Sequence, residues 1–232
     1  MTRLPGAGVT SGGTPNFFWQ GKNCGEAEFI AESAIYGYIT TLFNPVPGVT
    51  KCLMVWGHNP WASFQNMWPQ YLEAKKRGAK MVVVDPRLTD TAEEADIWLQ
   101  LRPGTDGALP YGMLNVIINE GLYDKEFVQK QCLGFDKVKK LVQKYSPDKV
   151  EGITWVPREK TVEVARLFAI SKPAYLTFGA ATCHLGGRAV MPAVVAKCIL
   201  RAITGNLNVM GGSSFTDYPF PHIWTRCTGT GR

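Results

Sequence analysis

Three short stretches carry the residues best placed for chemistry: Gly57-His58-Asn59-Pro60, Asp85-Pro86-Arg87 and Pro103-Gly104-Thr105-Asp106. In the first, Gly57 allows close approach to the backbone, and Asn59 offers a donor and an acceptor beside a helix start. Free N–H groups and the helix dipole favour an anion there, such as a pyrophosphate. In the second, Asp85 is placed to accept from a ribose hydroxyl, and Arg87 to meet a phosphate. In the third, the Asp106 carboxylate could take two hydrogen bonds from a guanine edge. Each stretch is also a common turn, and Thr105 or Asp106 would serve equally as a helix cap. Their succession at consecutive strand ends favours the binding reading, because open α/β sheets bind ligands beyond the carboxyl ends of their strands. No Gly-x-Gly-x-x-Gly follows the first strand, which disfavours an ordinary nicotinamide-binding fold.

The elements that must position these loops are legible in the pattern of apolar residues. Residues 51–56 (KCLMVW) read as a buried strand, 64–77 as a helix closed by Gly78, and 80–84 (KMVVV) as a second buried strand. Strand, helix, strand is a unit whose strands pair in parallel through a right-handed crossover. Residues 95–101 (ADIWLQL) are a third strand candidate, followed by a helix over 106–121. Shorter amphipathic helices are expected at 26–38, 124–131, 136–145 and 159–170, a further strand at 174–178, and a long apolar helix over 187–204. The alternation predicts an α/β fold: a Rossmann-like parallel sheet with flanking helices over residues 1–165, and part of a second α/β domain over 166–232.

Composition narrows the function classes. The chain has 232 residues, 45% hydrophobic and 19% charged, with a net charge of +6, which is ordinary globular composition. The basic residues are scattered. The densest cluster, Lys75-Lys76-Arg77, reads as the solvated end of a helix, so the charge suits a phosphate-bearing ligand rather than nucleic acid. None of the six cysteines forms a Cys-x-x-Cys pair, which excludes a zinc ribbon or iron–sulfur motif within the span. Cys52 and Cys198 lie in apolar runs and read as core thiols. No apolar segment is long enough to span a bilayer. Both ends are rich in loop-forming residues and are expected to continue into a longer protein.

At this point the motifs resemble a known family. The runs VWGHNP, VVVDPRLTDTAEEADIWLQLRPGTDGAL and ITGNLNVMGG are similar to those of the DMSO reductase family of molybdopterin oxidoreductases, over about Gly13 to Gly212. That family includes formate dehydrogenases, nitrate reductases, thiosulfate and polysulfide reductases, and acetylene hydratase. The resemblance implies a bis-molybdopterin guanine dinucleotide holding Mo or W. Gly57, Asn59 and Pro60 would then line a pyrophosphate, and Asp85, Pro86 and Arg87 would meet the guanosine ribose and phosphates. Pro103, Gly104 and Asp106 would sit at the guanine. Asp90, Thr91 and Ala92 would support the second loop. Gly179 and His184 would approach the pterin from the neighbouring domain, and His58 would reach the pterin or a phosphate or serve as a satisfied loop histidine.

Cys24 falls in the place of the family's metal ligand, and a thiolate suits Mo or W held by dithiolenes. Glu26 and Glu28 read as surface helix charges, or as groups supporting that ligand. Trp56, Trp61 and Trp68 read as core packing, or as the wall of a substrate funnel. The histidine that follows the ligand in formate dehydrogenases is Gly25 here, which disfavours formate oxidation. The expected function is two-electron redox or oxygen-atom transfer on a small-molecule substrate, by a catalytic subunit of which this span is a central piece, inactive alone. A 4Fe–4S cluster is expected outside the span, and an iron–sulfur electron-transfer subunit as partner. The alternatives are a non-redox hydratase or transhydroxylase on the same cofactor, and a cofactor-free remnant.

Overall fold

A computed structural model describes residues 25–40, 45–177, 179–183 and 190–216. Helix α1 (Glu26–Tyr36) leads into the short strand β1 (Ile39–Thr40). The first buried strand, β2 (Cys52–Trp56), is followed by one helical turn, α2 (Pro60–Ser63), and by α3 (Trp68–Lys76). Strand β3 (Lys80–Val84), the turn α4 (Asp90–Glu93) and strand β4 (Ile97–Leu99) come next. Then follow α5 (Ala108–Asn119), α6 (Lys125–Gln131), α7 (Phe135–Val142), α8 (Pro147–Thr154) and α9 (Arg158–Ile170). Strand β5 (Ala174–Leu176), the turn α10 (Ala180–Cys183), helix α11 (Val190–Ile203) and strand β6 (Phe215–Thr216) complete the order.

Strands β4, β3, β2 and β5 form one four-stranded sheet in that order, and every pairing is parallel. β5, from beyond residue 165, thus extends the sheet begun by β2 and β3. β1 and β6 make a separate antiparallel pair. Side chains alternate between the two faces of a strand, and here both faces are covered. Met54, Trp56, Val82, Val84 and Leu99 join a core with α5 and α9. Leu53, Val55, Met81, Val83 and Tyr175 pack on the other side against Tyr71 of α3. Burial on both sides is why these strands read as continuous apolar runs rather than alternating ones. Helix α5 is buried from Ala108 to Ile118. Cys52 and Cys198 are core thiols with no exposure, and burial raises each to about 12. No helix among the described residues is long and apolar enough to cross a membrane.

Several elements differ from the sequence reading. The helix expected from residue 64 starts at Trp68, with Pro69 in its first turn, a position where the missing N–H costs nothing. Phe64 instead closes α2. Helix α8 was not anticipated, although Ser146 caps it by accepting from Lys149 N, and Pro147 stands in its first turn. Residues 187–189 of the expected long helix, and Phe178 of the fifth strand, lie outside the described residues.

Glu28 requires a correction. It is not a surface helix charge but is fully buried, as are Lys197 and Arg201, and Glu32 is only 2% exposed. Arg201 donates to Glu28 Oε1 (2.7 Å) and to Glu32 Oε1 (2.5 Å), and Lys197 donates to Glu28 Oε2 (3.3 Å). Burial would raise Glu28, but the two cations outweigh it and hold the carboxyl below its ordinary range. The same carboxylates hold Arg201 well above the ordinary arginine value against its burial.

The pairing of β2 with β5 ends on a side-chain contact, in which Trp56 N donates to Thr177 Oγ1 at 3.1 Å. Thr177→Val keeps the shape but leaves that buried N–H without its acceptor. Urea denaturation should show a loss of about 1–3 kcal/mol at an unchanged m-value. No loss would mean that the N–H finds another partner.

Candidate functional site at the carboxyl edge of the sheet

Because the four strands run parallel, the loops after β2, β3 and β4 and the segment after β5 leave the sheet at one edge. Gly57 leaves β2 at φ +60°, a left-handed conformation that glycine adopts without steric cost. A side chain there would also crowd Ala181 Cβ and Thr182 Oγ1, both at 3.2 Å. From the other side, Gly179 sits so close to the same turn that a Cβ would lie 1.8 Å from Trp56 O. Ala181 N donates to Gly57 O (3.2 Å), and Gly57 N to Val84 O (3.0 Å). The turn after β2 is therefore clamped between β3 and the segment after β5.

Side chains tie the remaining loops together. Thr91 Oγ1 donates to Asn59 Oδ1 (2.6 Å) and accepts from Trp61 N (3.2 Å), which joins the turn after β2 to α4. Thr91 thus braces the turn after β2 rather than the second loop. Arg87 N donates to Asp85 Oδ1 (2.9 Å), and Trp98 Nε1 to Asp85 O (2.9 Å). Trp56, fully buried, donates its indole N–H to Asp106 Oδ1 at 3.0 Å. The indole is core, not funnel wall, and it fixes the one acidic side chain of the third loop. Trp61 remains 45% exposed.

Electrostatics report the same convergence. Burial raises Asp106 above the ordinary carboxylate value against the Trp56 hydrogen bond, with Lys197 also opposing. Burial likewise raises Asp85, and the charge of Asp106 adds to it. The second and third loops therefore bring two carboxylates within electrostatic reach of each other. Arg87, Pro86, Pro103 and Gly104 are exposed, and a side chain at Gly104 would meet nothing within 4 Å. A cleft of about 280 Å³ runs beside Gly104 and Thr105, walled by Tyr111 and Tyr145, whose rings stack at 5.0 Å.

His58 is the least settled residue at the edge. Both its ring nitrogens are buried without a protein hydrogen-bond partner, and so is Thr182 Oγ1. Its ring stands edge-on to Phe64 at 4.9 Å. Burial first, and the charge of Lys197 second, lower it to about 4. At neutral pH the imidazole is therefore uncharged, with one donor and one acceptor to offer. Buried polar groups in folded proteins are nearly always paired. His58 and Thr182 thus fit a bound polar group lying over the Gly57 turn. Thr182 was not singled out from the sequence, where nothing distinguishes it from other threonines. Cys24 and His184 lie outside the described residues. Among the described residues, no three His, Cys, Asp or Glu side chains gather as a metal site.

Residues 48–214 match the molybdopterin oxidoreductase family. The chain belongs to that family. It is 46% identical over 160 residues to acetylene hydratase from Syntrophotalea acetylenica, covering 68% of this chain and 21% of that protein. It is 36% identical over 163 residues to the alpha subunit of an F420-dependent formate dehydrogenase from Methanocaldococcus jannaschii, covering 70% and 24%. With dimethyl sulfoxide reductase DmsA of Escherichia coli the identity is 33% over 190 residues, covering 71% and 23%. The solved structure of acetylene hydratase from Pelobacter acetylenicus superposes with a TM-score of 0.76 at 38% identity, covering 88% of this chain and 27% of that one. The chain thus spans roughly a quarter of the length of these relatives. Its α/β architecture, with a parallel sheet, agrees with the superposition.

The unfolded chain protonates His58 near pH 6.5, whereas the folded chain resists protonation down to about pH 4. Between those values the unfolded state binds more protons, so stability falls as the pH falls. Urea denaturation at pH 7 and pH 4.5 should show an acid loss smaller in His58→Phe than in the parent by on the order of 2 kcal/mol. Equal losses would mean that His58 is not held neutral.

Proposed function

We propose that this chain is the cofactor-holding portion of a catalytic subunit that binds a bis-molybdopterin guanine dinucleotide with Mo or W. The observation that carries this reading is the convergence of four strand-end segments around a turn where His58 and Thr182 keep buried polar atoms free of protein partners. In this reading Gly57, His58, Asn59 and Pro60 face the pyrophosphate, and Asp85, Pro86 and Arg87 the ribose and its phosphates. Pro103, Gly104 and Asp106 take the guanine, Gly179 and His184 approach the pterin, and Cys24 ligates the metal.

When bound, the cofactor supplies two-electron redox or oxygen-atom transfer to a small-molecule substrate. The chain's own residues hold and orient it. A neutral His58 gives one donor and one acceptor without adding charge. Asp106, pinned by the Trp56 indole, presents a fixed acceptor at the third loop. Arg87, exposed at the second loop, offers a planar cation suited to phosphate. A 4Fe–4S cluster outside the span and an iron–sulfur electron-transfer subunit complete the redox version of the proposal.

A second reading, non-redox hydration on the same cofactor, is favoured by the 46% identity to an acetylene hydratase. Gly25, which follows Cys24, also points away from formate oxidation.

The test is anaerobic expression of the span with its flanking sequence restored, with metal analysis and fluorescence of the oxidised, released pterin. Near-stoichiometric Mo or W with pterin is the expected result. Cys24→Ala should lower retained metal by about tenfold or more, by analogy with lost metal-site contacts, while most pterin remains. A folded chain that binds neither would favour a cofactor-free role. If it loads, acetylene hydration assayed against dye-linked formate and sulfoxide turnover separates the two chemistries.

A further inference from the structure

The buried charges between α1 and α11 lie outside the cofactor loops, yet they connect to them. Two carboxylates four residues apart on α1 face two cations four residues apart on α11, so both sets lie on single helix faces. Arg201 is the hub. Beyond Glu28 and Glu32, it donates to Leu176 O at 3.3 Å, the last residue of β5. Its Nε is buried with no protein partner. Glu32 also accepts from Thr40 N (2.7 Å) and Thr40 Oγ1 (2.8 Å) of β1. Tyr36 Oη donates to Cys198 O at 2.5 Å, a second polar tie between the helices. One side chain therefore joins the helix that follows Cys24 to the carboxyl end of a sheet strand. Removing four charges from water is costly, and matched apolar side chains often serve stability as well or better. Packing alone does not call for this arrangement.

We infer that Arg201, with Glu28, Glu32 and Lys197, is a positioning residue that seats α1, the helix that follows Cys24 in the chain, against the carboxyl end of β5 before any cofactor arrives. The inference rests on the reading of Cys24 as metal ligand. In physical terms, α1 is held through Arg201 by directional hydrogen bonds, one set to its carboxylates and one to a strand end, and not only by apolar contact, so its register and rotation are set together. An apolar interface between α1 and α11, of which Ala31, Val194 and Cys198 form a small core, would hold the helices together while leaving them free to slide.

The test uses the chain without cofactor. The charge-balanced double variant Arg201→Met/Glu32→Gln removes the hub but keeps the Glu28–Lys197 pair and the approximate volume. Peptide-mapped alkylation then reports the reactivity of Cys24, hydrogen exchange reports the amides of residues 26–36, and thermal unfolding reports global stability. Alkylation of Cys132, which caps the end of α6 and makes no hydrogen bond with the buried charges, serves as the control. The expected result is a thermal midpoint within a few degrees of the parent, with Cys24 alkylation and α1 exchange faster by at least about tenfold and Cys132 unchanged. Arg201→Lys, which retains the charge but not the fork, should fall between and covers the case in which the double variant fails to fold. Unchanged Cys24 and α1 rates in a folded variant would overturn the inference, as would acceleration that appears equally at Cys132. The ligand role of Cys24 is judged separately by metal loss in Cys24→Ala, so the two readings fail independently.

Discussion

Parallel pairing of β2 with β3 on one side and β5 on the other is the constraint on which the rest of the molecule depends. Parallel strands share a direction, so the loops that leave their carboxyl ends crowd onto one edge. They also require crossover connections, and the helices that make them cover both faces of the sheet. A centre with this geometry has no free polar face, and its chemistry is confined to the rim. The candidate functional residues here are accordingly strand-end residues, while the strands themselves are apolar.

Crowding at the rim explains how the individual groups behave. Gly57 and Gly179 let two backbones approach more closely than side chains would allow. The same closeness strips water from His58 and Asp106 and pushes each toward its neutral form. Trp56 shows how the core reaches into the rim: a fully buried indole spends its single donor on Asp106, so a core residue sets the orientation of a candidate ligand-binding carboxylate. Replacing that tryptophan would disturb the third loop as well as the packing beneath it.

Much of the fold was legible because burial on both faces writes long apolar runs. KMVVV was bounded correctly, and CLMVW to within one residue. The three loops were legible because their residue types are unusual at strand ends. What was missed depended on partners distant in sequence. Glu28 looked like any helix-surface glutamate, since the cations that neutralise it lie some 170 residues away. The one available signal was the matching spacing of Glu28 and Glu32 with Lys197 and Arg201, two pairs four apart on helices otherwise rich in apolar residues. Thr182 had no signal, because its importance comes only from the backbone turn it faces. Helix α8 was overlooked because its apolar periodicity is weak, although Ser146-Pro147 is a sound helix start.

Trp56 and Thr177, whose contact closes the sheet, stand 121 residues apart in the chain. On a ribosome the strand that begins the rim is made long before the strand that completes it, and non-local pairings of this kind form slowly. Until residues 174–177 emerge and dock, the turn at Gly57 lacks the neighbour that shapes it. A large cofactor offered during synthesis would meet a half-built cradle. Any ligand of this rim is therefore taken up after residues 174–177 have docked, into an edge already closed.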